Sequence, residues 1–397
     1  MTRGLRELGE FGVVDLFAAA AKKGPHTHLG IGDDCAVLKV DHQRSLLIST
    51  DLLGQGVHFD VQALSPAQLG HKSLTVNVSD VAAMGGEPFG CTLTLGLWPD
   101  TAVEAVEAFR DGFLECAQEH GVELLGGDTT KARNDLTVGV TILGWIQTSE
   151  VVYRSGARPG DLVVVSGPLG DSAAGLLFLQ RYGKRAQAPA LRDSPAWRTP
   201  PAQDQTSAAA PAPTAAPTAA PTSAAAPAPA PEDSRDGGKG QLDRVPIPGA
   251  EPLVAAHLRP RARVELGRFL AQNRFATALI DISDGLLSDL GHICRRSGVG
   301  AEVWEERLPV SQALEQAADF LGEEEDPWSL ALRGGEDYQL LFTVPPTLWP
   351  RCRASWEERT GETLHQVGRV GDTKDLVVVD RSGARRSARG GWDHFAP

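Results

Sequence analysis

No stretch of the chain is apolar over the ~18 residues that a membrane-crossing helix needs. The opening residues, MTRGLRELGEFG, likewise lack the short apolar core of a secretory signal. Cysteine is scarce. Five residues (Cys35, Cys91, Cys116, Cys294 and Cys352) stand far apart with no C-x-x-C spacing. An odd number without a framework argues against disulfides and zinc and predicts free thiols in a reducing compartment. These absences predict a cytoplasmic protein with no membrane partner. Positive charge is short as well: 38 Lys and Arg face 51 Asp and Glu, for a formal net charge of -13. That balance argues against a nucleic-acid surface. An acidic chain can still hold phosphates where metal ions supply the positive charge.

Standard nucleotide signatures are missing too. GHKS at Gly70–Ser73 is not a Walker A loop, because His71 separates the Gly from the Lys and no Gly stands five residues before Gly70. There is no protein-kinase catalytic loop and no strand-bound G-x-G-x-x-G. GPLGDSAAG, Gly167–Gly175, reads as a helix-packing turn or a phosphate loop.

What is present is enough for two cores. The chain has 397 residues, 42% hydrophobic and 22% charged, and domains run to ~100–200 residues. Apolar β-branched runs predict strands at SLLIST, LTVGVTILGWI, GDLVVVSG, ATALIDIS and YQLLFTV. SPAQLGHKSLTVNVSDVAAMGG predicts a helix with Ser65 as cap, Pro66 in the first turn and Gly85-Gly86 as its stop. A second, amphipathic helix ends at Gly121, and further helices follow at VELGRFLAQN and DGLLSDLGHICRRSG. The pattern predicts an α/β (α+β) fold of two domains, 1–150 and 151–397, with the hinge near 148–156. Residues 185–248, almost wholly Ala, Pro, Thr and Ser at their centre, lack the large apolar side chains that offset ordering entropy. They read as a disordered insertion within the second domain.

The acidic residues follow one habit, an Asp or Glu beside Gly where an apolar element stops. GIGDDCAVL sets Asp33 and Asp34 at the entry to a strand. LLISTDLL places Ser49, Thr50 and Asp51 at a strand end, where α/β folds tend to put their chemistry. Asn77 and Asp80 share a helix face, and Asp80 needs a partner there, either Lys72 or another cation. ELLGGDTTKA drops Asp128 after two glycines, as a phosphate-and-metal loop or a plain turn. ALIDISDGLLSD gathers Asp281, Ser283 and Asp284 ahead of a helix N-terminus. LRGGEDYQLLF adds Glu336 and Asp337. Carboxylates of this kind facing one cleft suit several Mg²⁺ ions, which prefer oxygen ligands and would let two phosphorylated molecules approach each other.

These motifs, in this order, resemble the thiamine-monophosphate kinase family: GIGDDCAVL, LLISTDLLGQGVHF, KSLTVNVSDVAAMGGEP, LLGGDTTK, YRSGARPGD, GDSAAG, AAHLRP, IDISDGLLSDLGHI, GGEDYQLLFTV and GGWDHF. The resemblance spans the chain apart from the insertion. It implies the two-domain architecture of the aminoimidazole ribonucleotide synthetase-like superfamily, an N-terminal sheet-and-helix domain that forms the barrel of a homodimer, and ATP in the cleft between domains. It further implies that Asp34, Ser49, Thr50, Asp51, Asp80, Asp128, Asp281 and Asp284 hold Mg²⁺, with Asp51, Asp80 and Asp128 central to catalysis. Gly127, Asp128, Arg154 and Ser283 would contact ATP. His58, Glu336 and Trp392 would contact thiamine monophosphate, the aromatic face suiting a cationic ring and the Glu an aminopyrimidine edge. In an extended segment Asp33 and Asp34 face opposite ways, so Asp34 takes the metal role and Asp33 either assists or bonds the glycine turn.

Overall fold

A computed structural model describes residues 5–183, 196–198, 247–322 and 325–388, with the side chains of residues 5–8 and 11 left out. Two sheets carry the fold. The first contains β1 (Thr27–Leu29), β2 (Ala36–Lys39), β3 (Arg44–Gly54), β4 (Glu87–Leu97), β5 (Glu123–Lys131) and β6 (Thr137–Gln147), in the order β1-β2-β3-β6-β4-β5. Only β4 and β5 in that sheet are parallel. The second sheet contains β7 (Leu162–Val165), β8 (Ala278–Asp281), β9 (Gly300–Trp304), β10 (Leu340–Val344), β11 (His365–Gly371), β12 (Leu376–Val379) and β13 (Arg385–Ser387). Its order is β13-β12-β9-β11-β7-β10-β8.

Helix α1 (Leu5–Ala20) precedes the first sheet, α2 (Pro66–Ala83) packs on it, and α3 (Val103–His120) packs against α2. α2 begins as its sequence predicts. The Ser65 hydroxyl accepts the Gln68 N–H while the Gln68 side chain accepts the Ser65 N–H, a reciprocal cap that satisfies two otherwise unpaired donors. The helix stops at Met84, and Gly85 follows with φ 77°. α2 and α3 cross closely: a Cβ on Gly70 would stand 2.1 Å from the Phe109 carbonyl oxygen, and one on Gly112 1.9 Å from that of Ala67. Gly70, read above against a phosphate loop, is a packing residue.

Helices α4 (Asp171–Tyr182), α5 (Ala250–Leu258), α6 (Val264–Gln272), α7 (Leu286–Ser297), α8 (Gln312–Gln316), α9 (Pro327–Arg333) and α10 (Trp349–Thr360) complete the described residues. α2 touches β3, β6, α6 and β8, so one helix joins both sheets. The described residues form one compact unit.

Two strand boundaries differ from expectation. β3 does not end before Ser49; it pairs with β6 from Arg44↔Gln147 to Gly54↔Thr137, so Ser49, Thr50 and Asp51 lie in mid-strand. β5 likewise runs through Gly126, Gly127 and Asp128 because β4 pairs with it along its whole length. Polar residues resembled a strand end, yet a neighbouring strand supplies the missing pairing. Most of 185–248 lies outside the described residues, but within it Ala196–Arg198 is docked. Trp197 is buried, its indole N–H donates to the Leu64 carbonyl at 3.4 Å, and its own carbonyl accepts the Ala102 N–H. Arg198 lies 3.9 Å over the Trp98 ring.

Candidate active site

Helix α2 is buried on nearly every side, yet it carries Lys72, Ser73, Thr75, Asn77, Ser79 and Asp80. Buried polar groups require partners, and here the partners assemble a site. The Asn77 amide oxygen accepts the Asp51 N–H at 3.1 Å, while its NH₂ donates to the Ser73 carbonyl at 3.0 Å. Ser49 donates to Asp80 at 2.5 Å. Ser79 donates to Asp281 at 2.5 Å, reaching from α2 to the end of β8 in the second sheet. Strand alternation puts Ser49 and Asp51 on one face of β3 and turns Thr50 to the other, where its hydroxyl donates to the Val140 carbonyl.

One oxygen each from Asp34, Asp80 and Asp281 lies within 4.8 Å of the others. Arg154 is the cation beside them. Its guanidinium grips Asp34 through Nη2 at 2.6 Å and Nε at 3.2 Å, and its backbone N–H donates to Asp33 at 3.2 Å. The adjacent aspartates thus divide their work, Asp34 facing the cluster and Asp33 fastening the Arg154 backbone. Burial and the neighbouring Asp34 charge push Asp51 up to about 6 and Asp281 and Asp33 to about 7. Asp80 is raised well above the ordinary range by burial and by Asp51 and Asp281. This is a cluster whose negative charge exceeds what its one arginine offsets.

The cluster lies at one end of a cleft of about 740 Å³. The other end is built differently. Lys72, fully buried on α2, ion-pairs with one oxygen of Glu336 at 3.0 Å, and His257 of α5 meets the other at 3.2 Å. Burial opposes the Glu336 charge, but the Lys72 charge and the His257 hydrogen bond win and hold the carboxyl below its usual range. Lys72 therefore pairs with Glu336, on the facing wall. Glu336 and Tyr338 have φ of 63° and 49°, a backbone conformation costly for side chains of this size, fixed by N–H bonds to the Ser283 and Ile282 carbonyls. Between them Asp337 accepts the N–H groups of Gly170 and Ser172 at the start of α4, a capping role.

Of the residues singled out by sequence, Asp34, Ser49, Asp51, Asp80, Asp281, Asp284, Arg154, Ser283, His58 and Glu336 all line this cleft. Thr50 does not line it, its hydroxyl being bonded to the Val140 carbonyl on the other face of β3. Gly127 and Asp128 do not join it within one chain: β6 and β4 separate β5 from β3. Register sets Asp128 in the row of Thr94, Gly139 and Leu52, on the sheet face opposite Asp51. Trp392 lies outside the described residues. Lys72, His257, Tyr338, Asp289 and His292 also belong to the site or its wall and were not predicted there. Asp289 accepts the Asp284 N–H at 3.2 Å, fixing the turn into α7. Lys72, His257, Asp289 and His292 stand in helices, where their polarity was the signal, and Tyr338 lies in the irregular segment before β10.

Comparison with known proteins shows what the whole chain resembles. Residues 32–146 match the family described as AIR synthase related protein, N-terminal domain, and residues 233–381 match its C-terminal domain. The chain is 35% identical to thiamine-monophosphate kinase of Escherichia coli (strain K12), over 85% of this chain and 83% of that one. It is 32% identical to the Aquifex aeolicus (strain VF5) protein of the same name, over 98% and 99%. A solved structure of AaThiL complexed with AMPPCP and TMP superposes with a TM-score of 0.72 at 31% identity, covering both chains fully.

Proposed function

The chain belongs to the thiamine-monophosphate kinase family, and from that premise we propose the reaction and the roles of its residues. ATP and thiamine monophosphate give ADP and thiamine diphosphate by direct in-line transfer of the γ-phosphoryl group. The observation that carries this reading is the cleft with two unlike ends, a crowded carboxylate cluster and a carboxylate held ionised by Lys72. The solved relative bound to AMPPCP and TMP supports both substrates.

The donor set around the cluster fits Mg²⁺. Asp34, Asp51, Asp80, Asp281 and Asp284, with the Ser49 hydroxyl, offer only oxygen, and their charge exceeds that of the nearby arginine. Bound there, several Mg²⁺ ions would neutralise the phosphates of both substrates. The chain's own residues do the positioning. Ser49 and Ser79 hold the Asp80 and Asp281 carboxylates in place, and Asn77 fixes the backbone at Asp51. Arg154 and Ser283 stand on the cleft wall beside the phosphate path of ATP. His58 takes a hydrogen bond from the Gly54 N–H on Nδ1, so Nε2 carries the hydrogen of the neutral ring, and His58 lines the cleft. The nucleophile is a phosphate oxygen that is already ionised, so no strong general base is required.

A homodimer completes the reading. Every residue of β5 is exposed, Leu124 and Leu125 among them, and no strand among the described residues pairs with its outer edge. A second copy on this side would give Gly127 and Asp128 a place at an ATP site. The five free, buried cysteines support a reducing, cytoplasmic location, and no helix among the described residues is long and apolar enough to cross a membrane.

A coupled assay for ADP tests the reaction. ADP should form only when thiamine monophosphate and Mg²⁺ are both present. ADP release at the same rate without the acceptor, or only with an amide or acyl acceptor, would reject it.

A further inference from the structure

Lys72, Val76 and Asp80 recur every fourth residue on α2, and all three face the cleft or its wall. At 1.5 Å per residue the stripe separates the Lys72 end from the Asp80 end by about 12 Å. One end therefore binds the Glu336 carboxylate and the other belongs to the metal cluster, on a single rigid helix. Glu336 is the exposed member of its network: its side chain is 24% exposed and lines the cleft, whereas those of Lys72 and His257 are 1% and 5% exposed.

The network's protons can be placed. A carboxylate only accepts, so His257 Nδ1, 3.2 Å from both Glu336 and the Ser172 hydroxyl, carries the hydrogen. Burial and the Lys72 charge lower the His257 pKa, which keeps the ring neutral. Lys72 is then the full positive charge that offsets Glu336, an ion pair at 3.0 Å to one oxygen, while His257 lies 3.2 Å from the other. The carboxylate lines the cleft, where its remaining lone pairs can meet a substrate N–H.

We propose that Lys72 and His257 are positioning residues that lock Glu336 as the acceptor for the ring amino group of the substrate, and that the Lys72–Val76–Asp80 stripe sets the distance from that ring to the reacting phosphate. The inference rests on the kinase reading above and extends it to the orientation of the acceptor. A molecule with an aminopyrimidine at one end and a phosphate at the other spans the cleft lengthwise, ring against Glu336 and phosphate at the aspartates. Neither network residue touches the substrate.

The test compares thiamine monophosphate with an analogue in which hydrogen replaces the pyrimidine amino group, using the full-length protein. Wild type should prefer the natural acceptor by on the order of 10–100-fold in kcat/KM, the range of a hydrogen bond to a charged group. In Lys72→Met and His257→Leu that preference should collapse to a few-fold, with KM for the acceptor raised and KM for ATP unchanged. His257→Asn, which keeps a donor near the Nδ1 position, should regain most of it. If Lys72→Met does not fold, the His257 pair carries the comparison alone. Preference retained in His257→Leu, or KM rising equally for both substrates, would overturn the proposal while leaving the kinase reading intact. A wild-type protein that turns over neither acceptor would instead overturn the kinase reading.

Discussion

The two ends of the cleft use the same residue type in opposite ways. At one, Asp34, Asp80 and Asp281 crowd together with Asp51, and Arg154 is the cation that grips Asp34 beside them. Burial without enough positive charge drives their pKa values up. At the other, Glu336 is half-buried, but the Lys72 charge and His257 lie against its two oxygens, and its pKa falls. A carboxylate matched by the protein's own cation stays ionised without help from a bound ion. A group of carboxylates left in excess is a receptor for cations brought from outside.

The comparison breaks most sharply at the crowded end. Asp51→Asn and Asp80→Asn should each lower turnover on the order of 10³-fold or more, measured as ADP formation. Neither should lower the melting temperature, because an amide relieves repulsion; a large loss of stability with turnover retained would contradict the assignment. The next effect is on pH. Asp33, Asp51 and Asp281 have ordinary values of 3.8 and folded values of about 7, 6 and 7. A carboxyl raised by folding stabilises the fold below its unfolded pKa, and that contribution is lost as pH rises through the folded one. Chelated protein should therefore melt at progressively lower temperature from about pH 4 to pH 8, and added Mg²⁺ should recover more at pH 8 than at pH 5. Equal recovery at both would count against a carboxylate site.

Away from the cleft the expected effects concern stability alone. Trp197→Ala removes a buried indole that fastens the chain beside Leu64 and Ala102, and should cost about 3 kcal/mol by denaturant midpoint. The kcat should change less than twofold. Ser65→Ala, which opens the reciprocal cap on α2, should cost about 1 kcal/mol.

Local signals were legible in the sequence and long-range ones were not. Ser65, Pro66 and Gly85 act within a few residues of themselves, so the span of α2 could be read directly. The run at Ser49, Thr50 and Asp51 resembled a strand end because its composition is polar; only pairing with β6, far along the chain, shows that the strand continues. Asp128 carried the right motif, yet the face it occupies is set by register across three strands. Lys72 was weighed as a partner for Asp80 because both lie on one helix, but its partner Glu336 comes from the far end of the sequence. Trp197 was hidden in an Ala- and Pro-rich stretch whose composition argues against packing, and one large aromatic was enough to dock its segment. The carboxylates of the cluster were recognisable as a set; which of their neighbours hold them was a matter of tertiary structure.

The central claim is that the unmatched carboxylates gather metal ions for phosphoryl transfer. Counting Mn²⁺ bound per chain by electron paramagnetic resonance, with ATP present, tests it most directly. Wild type should bind more than one ion per chain and Asp80→Asn should bind fewer, with weaker affinity. The same number bound at the same affinity in both proteins would contradict the account.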